Sequence, residues 1–352
     1  MRALVTGATG IVGNNLVRAL LDDGYEVRVL VRPASDNTSL RRLPVEHWPG
    51  DILDHHTLVG VADKCSFVFH AAALFAYSGF TQDELDRIAI DGTRNVITAA
   101  AHANAERIVV TSSTVTLGSA TTPTVRDERD TFEDKYPSSY TLSKVRQEKA
   151  AFETCRELGL ELVVVCPGLT VGSFDYRLSP SNASIVNYLN DPMRFTFPGG
   201  CNIVSARDVA AGHIVAARRG VAGERYVVGG ENLHWRDVHR MISALGGTFG
   251  PTYTLNNTST YLAGAAAEMS ARIMGKRPSV TRDEATMACH YYWYSSDAIS
   301  RLGYAATPCE DALADALAWL IHRSYLSESV VDRLTPDDRV REHLQALRGV
   351  AA

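Results

Sequence analysis

A glycine-rich turn near the start of the chain constrains the fold more than any other feature of the sequence. Residues 2–6 form a short apolar run, and Gly7, Gly10 and Gly13 follow it at intervals of three residues. Apolar residues at helical spacing continue to Gly24, and a β-branched run comes next. This order predicts a strand, a tight turn, a helix and a second strand, which together make a βαβ unit.

The same alternation continues through the first half of the chain. Apolar, strand-like runs at 66–70, 107–111 and 160–166 are separated by helical patterns near 81–104 and 140–158. Continuous apolar strands that alternate with helices are typical of a parallel sheet covered on both faces. We therefore expect an α/β fold, with a Rossmann-type doubly wound parallel sheet and a smaller C-terminal substrate-binding lid.

The predicted organisation has three parts. A dinucleotide-binding domain spans 1–172, and segments near 201–230 return to it. Prolines and paired glycines interrupt the pattern after Gly172, so we expect 173–334 to be mainly the lid. Residues 335–352 are expected to form a C-terminal tail. The helices predicted in this half lie near 235–245, 258–274 and 309–325.

Composition excludes several classes of protein. A net charge of −5 gives no general attraction for a phosphate backbone, so nucleic acid is not an expected partner. The six cysteines are scattered without a C-x-x-C pair, which argues against structural zinc and a disulfide framework; no metal is expected. We expect no signal peptide and no membrane span, with 261–274 read as a half-buried helix, and a cytoplasmic location.

Each glycine of the turn has an expected role in binding a dinucleotide. Gly7 permits the sharp turn, Gly10 lets backbone amides approach a pyrophosphate, and Gly13 lets the helix pack on the strand. The N-terminus of the following helix favours an anion. The residues expected to line this pyrophosphate site are Gly7, Thr9, Gly10, Ile11, Val12 and Gly13.

The end of the second strand bears on the choice of cofactor. NAD-binding folds usually carry Asp or Glu here for the ribose 2′-hydroxyl, whereas this chain has Val31 and Arg32, with Arg41 and Arg42 nearby. A guanidinium would pair with a 2′-phosphate and stack on adenine. We therefore expect NADP(H), with NAD(H) as the alternative and an ordinary solvent-exposed arginine as the plainer interpretation.

Two further motifs carry catalytic chemistry. Tyr140 and Lys144 are four residues apart, so on a helix both side chains share one face, and a nearby ammonium is expected to lower the phenol pKa. Ser113 and Thr114 follow the strand 107–111, where ligands of open α/β sheets bind. Either motif alone occurs by chance. Together with the glycine turn, in this order, they predict an oxidoreductase site.

These residues resemble the extended short-chain dehydrogenase/reductase family, the NAD-dependent epimerase/dehydratase group. Within it the chain is most similar to dihydroflavonol reductases, 3β-hydroxysteroid dehydrogenases and hopanoid-associated epimerase-like proteins. The likeness runs from Thr6 to about Leu326. The segments that carry it are 6–10 (Thr-Gly-Ala-Thr-Gly), 29–33, 50–52, 69–73, 91–95, 207–210, 294–298 and 302–304.

The resemblance implies roles for particular residues. Ser113 and Tyr140 would contact the reacting oxygen, and Lys144 would hold the nicotinamide ribose. Two positions depart from many relatives: Cys166 stands in place of an arginine and Ala89 in place of an asparagine. Further cofactor contacts are implied for Asp51, Ile52, Ala71, Ala72, Thr111, Pro167 and Gly168.

The substrate is predicted less sharply. Aromatic residues are frequent in 74–80 and 173–200, which favours a ketone, enone or secondary alcohol on a hydrophobic scaffold. Arg177, Arg194 and Arg207 leave open a nucleotide-sugar epimerase or dehydratase. A non-catalytic NADP(H) sensor would not need the tyrosine–lysine pair, and a homodimer is an expected assembly. The expected substrate contacts are Phe75, Tyr77, Ser113, Thr114 and Tyr176.

Overall fold

The computed structural model describes residues 1–73, 80–133, 137–275, 278 and 280–351. The strands of the described residues are β1 (Arg2–Thr6), β2 (Glu26–Val31), β3 (Val45–Pro49), β4 (Phe67–His70), β5 (Arg107–Thr111), β6 (Val125–Arg126), β7 (Glu161–Pro167), β8 (Leu169–Val171), β9 (Phe195–Thr196), β10 (Gly200–Ser205), β11 (Arg225–Val228), β12 (Glu231–His234), β13 (Tyr253–Thr254) and β14 (Tyr291–Tyr294).

The helices are α1 (Ile11–Asp22), α2 (Gln82–Asp86), α3 (Gly92–His102), α4 (Ser139–Leu158), α5 (Pro180–Asn190), α6 (Ala206–Arg219), α7 (Trp235–Leu245), α8 (Asn257–Met274), α9 (Arg282–Met287), α10 (Asp297–Ser300), α11 (Cys309–His322), α12 (Glu328–Val331) and α13 (Asp338–Ala351). A π-helical turn, Arg87–Asp91, joins α2 to α3, and 3-10 turns occupy Thr38–Leu40, His55–Leu58 and Thr114–Leu117.

Seven strands form one fully parallel sheet. Their order is β11-β7-β5-β4-β1-β2-β3, with β1 paired to β2 on one side and to β4 on the other. The chain moves outward in one direction from β1 to β3 and in the other from β4 to β11. The order therefore reverses between β1 and β4, where α/β sheets of this kind bind ligands at the carboxyl ends of their strands. The predicted Rossmann-type sheet is confirmed.

Alternating side chains of the buried strands pack into hydrophobic cores on both faces of the sheet. Val5 of β1 packs in a core with residues of α1 and α6. Its neighbour Leu4 packs in a second core with Ile97 of α3 and Ala151 of α4. Because successive side chains of a strand point to opposite faces, the apolar residues of β1 contribute to the cores on both faces of the sheet. Helices on both faces then hold the strand ends in fixed positions.

A second group of elements packs beyond the large sheet. Strands β12, β10, β14 and β6 form a smaller sheet in that order, and β8 also pairs with β10. A separate core joins α5, α7, α11 and α13. The last helix, α13, packs on α11 and buries Val340 and Leu347.

Two further properties concern the surface and the thiols. All six cysteines are free, and five of them are buried. Among the described residues, no helix has both the length and the apolar character needed to cross a membrane. In α8, Gly264 and Ala271 are buried, whereas Leu262, Met269 and Ile273 are exposed, so only a narrow side of this helix is buried, less than the half-buried helix that the sequence predicts.

Candidate active site

The structure brings together the serine, tyrosine and lysine that the sequence singles out. Ser113 follows β5 and caps the 3-10 turn after it, accepting a hydrogen bond from Val115 N at 3.4 Å. Tyr140 and Lys144 lie in the first turns of α4, which Ser138 caps. Tyr140 is 6% exposed and Lys144 is 4% exposed. The side chain of Ser113 interacts with the phenol of Tyr140.

The protonation of this group differs from the sequence-based expectation. Burial raises the pKa of Tyr140 to about 12, and the hydrogen bond from Ser113 opposes that rise. Burial also lowers the pKa of Lys144 to about 8. The ammonium of Lys144 donates to Thr111 O at 3.0 Å and to Gln147 Oε1 at 2.9 Å. In this arrangement Tyr140 is a neutral phenol at neutral pH and can donate a proton.

The glycine turn has the shape that a pyrophosphate requires. Gly7 has φ +71°, and a Cβ there would lie 2.6 Å from backbone atoms of Ala71 and Ala72. A Cβ on Gly13 would lie 2.2 Å from Gly7 O. Gly10 begins α1 without a side-chain cap, and no acidic residue occupies the first turn. The amide groups of that turn therefore suit a phosphate, and a dinucleotide fits this site.

Hydrogen bonds within the protein fix the backbone of other residues that are expected beside the cofactor. Ala71 N donates to Thr6 O at 3.2 Å, and Ala72 N donates to Thr6 Oγ1 at 3.3 Å. Asn95 Nδ2 donates to Ile52 O at 2.8 Å. Asp51 accepts a hydrogen bond from Leu53 N at 2.9 Å, so its carboxylate fixes its own loop.

Arg32 lies at the carboxyl end of β2 on an exposed loop. Its carbonyl accepts hydrogen bonds from Ser35 N at 3.0 Å and from Ser35 Oγ at 2.8 Å, which fixes the start of the loop. Within the described ranges its guanidinium forms no ion pair. Asp36 in the same loop binds Thr38, and this contact lowers the pKa of its carboxyl. The Arg32 guanidinium is therefore available to an anionic ligand.

Three residues with implied cofactor contacts also make contacts within the protein. Thr111 Oγ1 lies 2.8 Å from Nε2 of His213, whose Nδ1 lies 2.7 Å from Val209 O. Since a carbonyl only accepts, Nδ1 carries the proton and Thr111 donates to Nε2. A Cβ on Gly168 would lie 2.5 Å from Asn202 Oδ1, so Asn202 requires this glycine. Pro167 closes β7 opposite Val228 of β11.

The two departures from many relatives lie near α4. Cys166 Sγ is 3.7 Å from Oε1 of the buried Glu148, and burial raises the pKa of this thiol. Ala89 is buried in the π-helical turn, which packs against α4. Neither position removes Ser113, Tyr140 or Lys144 from the site.

The expected substrate contacts are only partly described. Phe75 and Tyr77 lie outside the described residues. Thr114 is buried, and its side chain interacts with Tyr294, whose hydroxyl donates to Gly118 O at 2.7 Å. Tyr176 packs edge-on against Trp319 with ring centroids 5.0 Å apart, and the guanidinium of Arg323 lies over its ring at 5.3 Å. Its contacts therefore include two residues of the C-terminal region.

Sequence reasoning missed three buried polar residues behind Lys144. Gln147, Thr93 and His70 are each no more than 1% exposed and are joined by hydrogen bonds. One signal for Gln147 was available, because a position three residues after Lys144 shares its helix face. Thr93 and His70 come from other elements, and no local pattern indicates their contact.

Comparison with known proteins places the chain in a family. The model of the NAD dependent epimerase/dehydratase family matches residues 3–229. A putative dihydroflavonol 4-reductase of Synechocystis sp. is 33% identical, covering 92% of this chain and 95% of that protein. Sterol demethylase protein B of Methylococcus capsulatus is 30% identical, covering 93% and 100%.

A solved structure agrees with these matches. The crystal structure of gox2253 superposes with a TM-score of 0.81 at 34% identity, covering 92% of this chain and 99% of that one. Fold, catalytic geometry and sequence similarity point the same way. The chain belongs to the NAD dependent epimerase/dehydratase family, the extended short-chain dehydrogenases/reductases, and is an NAD(P)-dependent oxidoreductase.

Proposed function

We propose that this protein is an NADP(H)-dependent oxidoreductase that interconverts a ketone or enone and a secondary alcohol on a hydrophobic or aromatic scaffold. The observation that carries the proposal is the buried, neutral phenol of Tyr140, which interacts with Ser113 and lies one helical turn from Lys144. Ser113 follows the carboxyl end of β5, which is the neighbour of β4, and β4 borders the strand-order reversal. A proton donor and a polarising hydroxyl are what carbonyl reduction needs.

The cofactor would be held along that edge. When bound, NADPH supplies a hydride to the substrate carbon. The amides at the start of α1 would bind the pyrophosphate between Gly7 and Gly13, and Asp51 with Ile52 would flank the adenine. Lys144 would donate to the ribose hydroxyls, and Pro167 with Gly168 would border the nicotinamide.

Proton transfer then rests on residues of this chain. Ser113 would donate a hydrogen bond to the substrate oxygen and hold it beside Tyr140. Tyr140 would give its proton to that oxygen as negative charge develops, and the Lys144 ammonium would stabilise the resulting phenolate. In the direction of alcohol oxidation, the same phenolate would take the proton back.

The preference for NADP(H) over NAD(H) rests on Arg32. It occupies the position after β2 where NAD-binding folds carry an acid, and its guanidinium is exposed. A 2′-phosphate would pair with a guanidinium far better than a ribose hydroxyl would.

The substrate class rests on the sequence and on the relatives. The names of the two similar proteins refer to a dihydroflavonol and to a sterol, both ring compounds with large apolar surfaces. Phe75 and Tyr77 remain proposed substrate contacts, as does Thr114 beside Ser113. We propose that segment 173–334 contributes most of the remaining pocket.

The test is a titration of NADPH and NADH into the purified protein, followed by nicotinamide absorbance with hydrophobic ketones, enones and alcohols. Tighter NADPH binding with turnover is expected, and Tyr140→Phe should abolish turnover while cofactor binding stays intact. Turnover retained in Tyr140→Phe would refute the mechanism. The family's name supports a second candidate, a nucleotide-sugar epimerase or dehydratase. It predicts cofactor that co-purifies and no net nicotinamide change.

A further inference from the structure

A buried glutamine connects the catalytic lysine to the neighbouring helix. Gln147 is 1% exposed and lies one turn after Lys144 on α4. Its Oε1 accepts from Lys144 Nζ at 2.9 Å, and its Nε2 donates to Thr93 Oγ1 of α3 at 3.1 Å. Both ends of the side-chain amide are thus used within the protein.

The chemistry of the partners fixes the orientation of this amide. An ammonium has donors and no acceptor, so it must face the amide oxygen. The amide nitrogen then faces the Thr93 hydroxyl, which can accept from it. A flipped amide would oppose donor to donor at Lys144 and leave a buried polar group unsatisfied. Gln147 therefore has one stable orientation.

The hydrogen bonds continue from Thr93 to the turn beside Gly7. Thr93 Oγ1 lies 3.0 Å from Nε2 of His70, and His70 Nδ1 lies 2.8 Å from Thr6 Oγ1. Thr6 Oγ1 in turn accepts from Ala72 N at 3.3 Å. Burial lowers the pKa of His70 to about 3, so this ring is neutral. A row of uncharged groups thus runs from Lys144 to the backbone around the glycine turn.

These contacts determine which N–H group of Lys144 remains available for a ligand. The ammonium has three N–H groups. Thr111 O and Gln147 Oε1 take two of them, and within the described residues no third acceptor is found. Because two directions are fixed, the third is fixed as well, and it is the one available to a ribose hydroxyl.

We infer that Gln147 is a positioning residue, whose amide holds the Lys144 ammonium against the end of β5 and ties it, through Thr93 and His70, to the turn that takes the pyrophosphate. This inference rests on the proposed function of Lys144. Glu148, the next residue of α4, is a buried carboxylate that raises the pKa of Lys144. The amide of Gln147 gives the ammonium a further acceptor without adding a second negative charge.

The test compares two substitutions with a control on the same helix. Gln147→Met keeps the length of the side chain and removes both hydrogen bonds. Gln147→Glu keeps an acceptor for Lys144 and adds negative charge. Thr154→Val removes a buried hydrogen bond to Ala150 O, 2.8 Å long, farther along α4. For each variant, kcat, KM, NADPH affinity and melting temperature are measured across pH.

The two substitutions should move the pH profile in opposite directions. Gln147→Met should lower kcat about tenfold, as expected for loss of a hydrogen bond to a charged group. The alkaline limb of its kcat–pH profile, where Lys144 loses its proton, should shift to lower pH. Gln147→Glu should shift that limb to higher pH, and its kcat should stay below the wild-type value because the added carboxylate opposes the positive charge of Lys144. Thr154→Val should lower the melting temperature and leave the limb in place.

Two outcomes would overturn the role of Gln147. In the first, Gln147→Met lowers the melting temperature but leaves the alkaline limb of the pH profile in place, as Thr154→Val does. The other, which decides the question even if Gln147→Met does not fold, is a limb in Gln147→Glu that fails to rise. The pH dependence of NADPH affinity gives the same comparison without turnover. A wild type that binds NADPH but reduces nothing therefore contradicts the proposed function alone.

Discussion

The catalytic edge and the Arg32 loop use polar groups in opposite ways. At the catalytic edge, Tyr140 and Lys144 are buried and Lys144 is held by two acceptors of the chain. In the loop after β2, the Arg32 guanidinium is exposed, and only its carbonyl is fixed. The fold fixes the position of the Lys144 ammonium, whereas the Arg32 guanidinium is a charge exposed to solvent.

This difference has an energetic consequence. A buried polar group without a partner costs about 1–3 kcal/mol, so partners at the catalytic edge are required for folding as well as for chemistry. An exposed guanidinium is already solvated, and removing it changes little in the fold. We therefore expect substitutions at the edge to affect stability and activity together, and substitutions in the loop to affect ligand preference alone.

The largest effect is expected at the glycine turn after β1, which lies between the two regions in the strand order. Gly13→Ala places a methyl group 2.2 Å from Gly7 O, and a backbone carbonyl cannot move aside as a flexible side chain can. NADPH affinity should fall by a factor of about 1,000 or more, measured by fluorescence titration. Gly250→Ala is the control, because its Cβ meets nothing within 4 Å. Near-normal affinity in Gly13→Ala would show that the turn does not hold the pyrophosphate.

The buried edge should also be sensitive to acid. Burial lowers the pKa of His70 to about 3 and that of His213 to about 4, from 6.5 for the free side chain. The unfolded chain therefore binds protons first, and the stability each ring confers is present above about pH 6.5 and lost as the pH falls toward these values. Each should contribute a loss of about 2 kcal/mol between about pH 7 and pH 5.

Urea unfolding at the two pH values measures this loss. His213→Gln should reduce the difference between them by about 2 kcal/mol, whereas substitution of the exposed His55 by glutamine should leave it unchanged. An equal pH dependence in wild type and His213→Gln would mean that His213 is not held neutral in the folded protein.

Ser113→Ala should lower kcat about 100-fold with little change in NADPH affinity, since it removes the proposed donor to the substrate oxygen and a side chain that interacts with the Tyr140 phenol. Ser143→Ala is the matched control, because that hydroxyl donates to Tyr140 O, 2.8 Å away, and leaves the phenol alone. If kcat falls equally in both variants, the loss comes from weaker support of the helix backbone, and Ser113 does not act directly on the substrate.

The two regions also differ in how far the sequence predicted them. Local patterns identified the glycine turn, the strand ends and the Tyr140–Lys144 face, because each depends on residues close together in the chain. The pKa of Tyr140 was expected to fall and instead is raised, since burial outweighs every neighbour in a way that no spacing encodes. Gln147 and His70 meet only after α3, α4 and β4 assemble. The π-helical turn Arg87–Asp91 inside the predicted helix 81–104 likewise depends on packing against α4.

Arg32→Asp tests the exposed region. Replacing the guanidinium by a carboxylate should lower NADPH affinity about tenfold and improve NADH affinity, because a 2′-phosphate is repelled and a 2′-hydroxyl is bound. The melting temperature should stay unchanged, in contrast to the variants at the buried edge. Arg301→Asp, at another exposed arginine, controls for the change in net charge. An unchanged cofactor preference would assign the 2′-phosphate to other residues.

The smallest effect on catalysis is expected at Tyr176, where sequence and structure lead to different expectations. The aromatic pattern of the sequence predicts a substrate contact, so that KM should rise on substitution. The packing of its ring between Trp319 and Arg323 predicts lost stability instead. Tyr176→Leu should keep kcat/KM within about twofold and reduce the free energy of unfolding by about 1–2 kcal/mol, measured by urea denaturation. A rise in KM at unchanged stability would return Tyr176 to the substrate pocket and extend the catalytic region into the segment after β8.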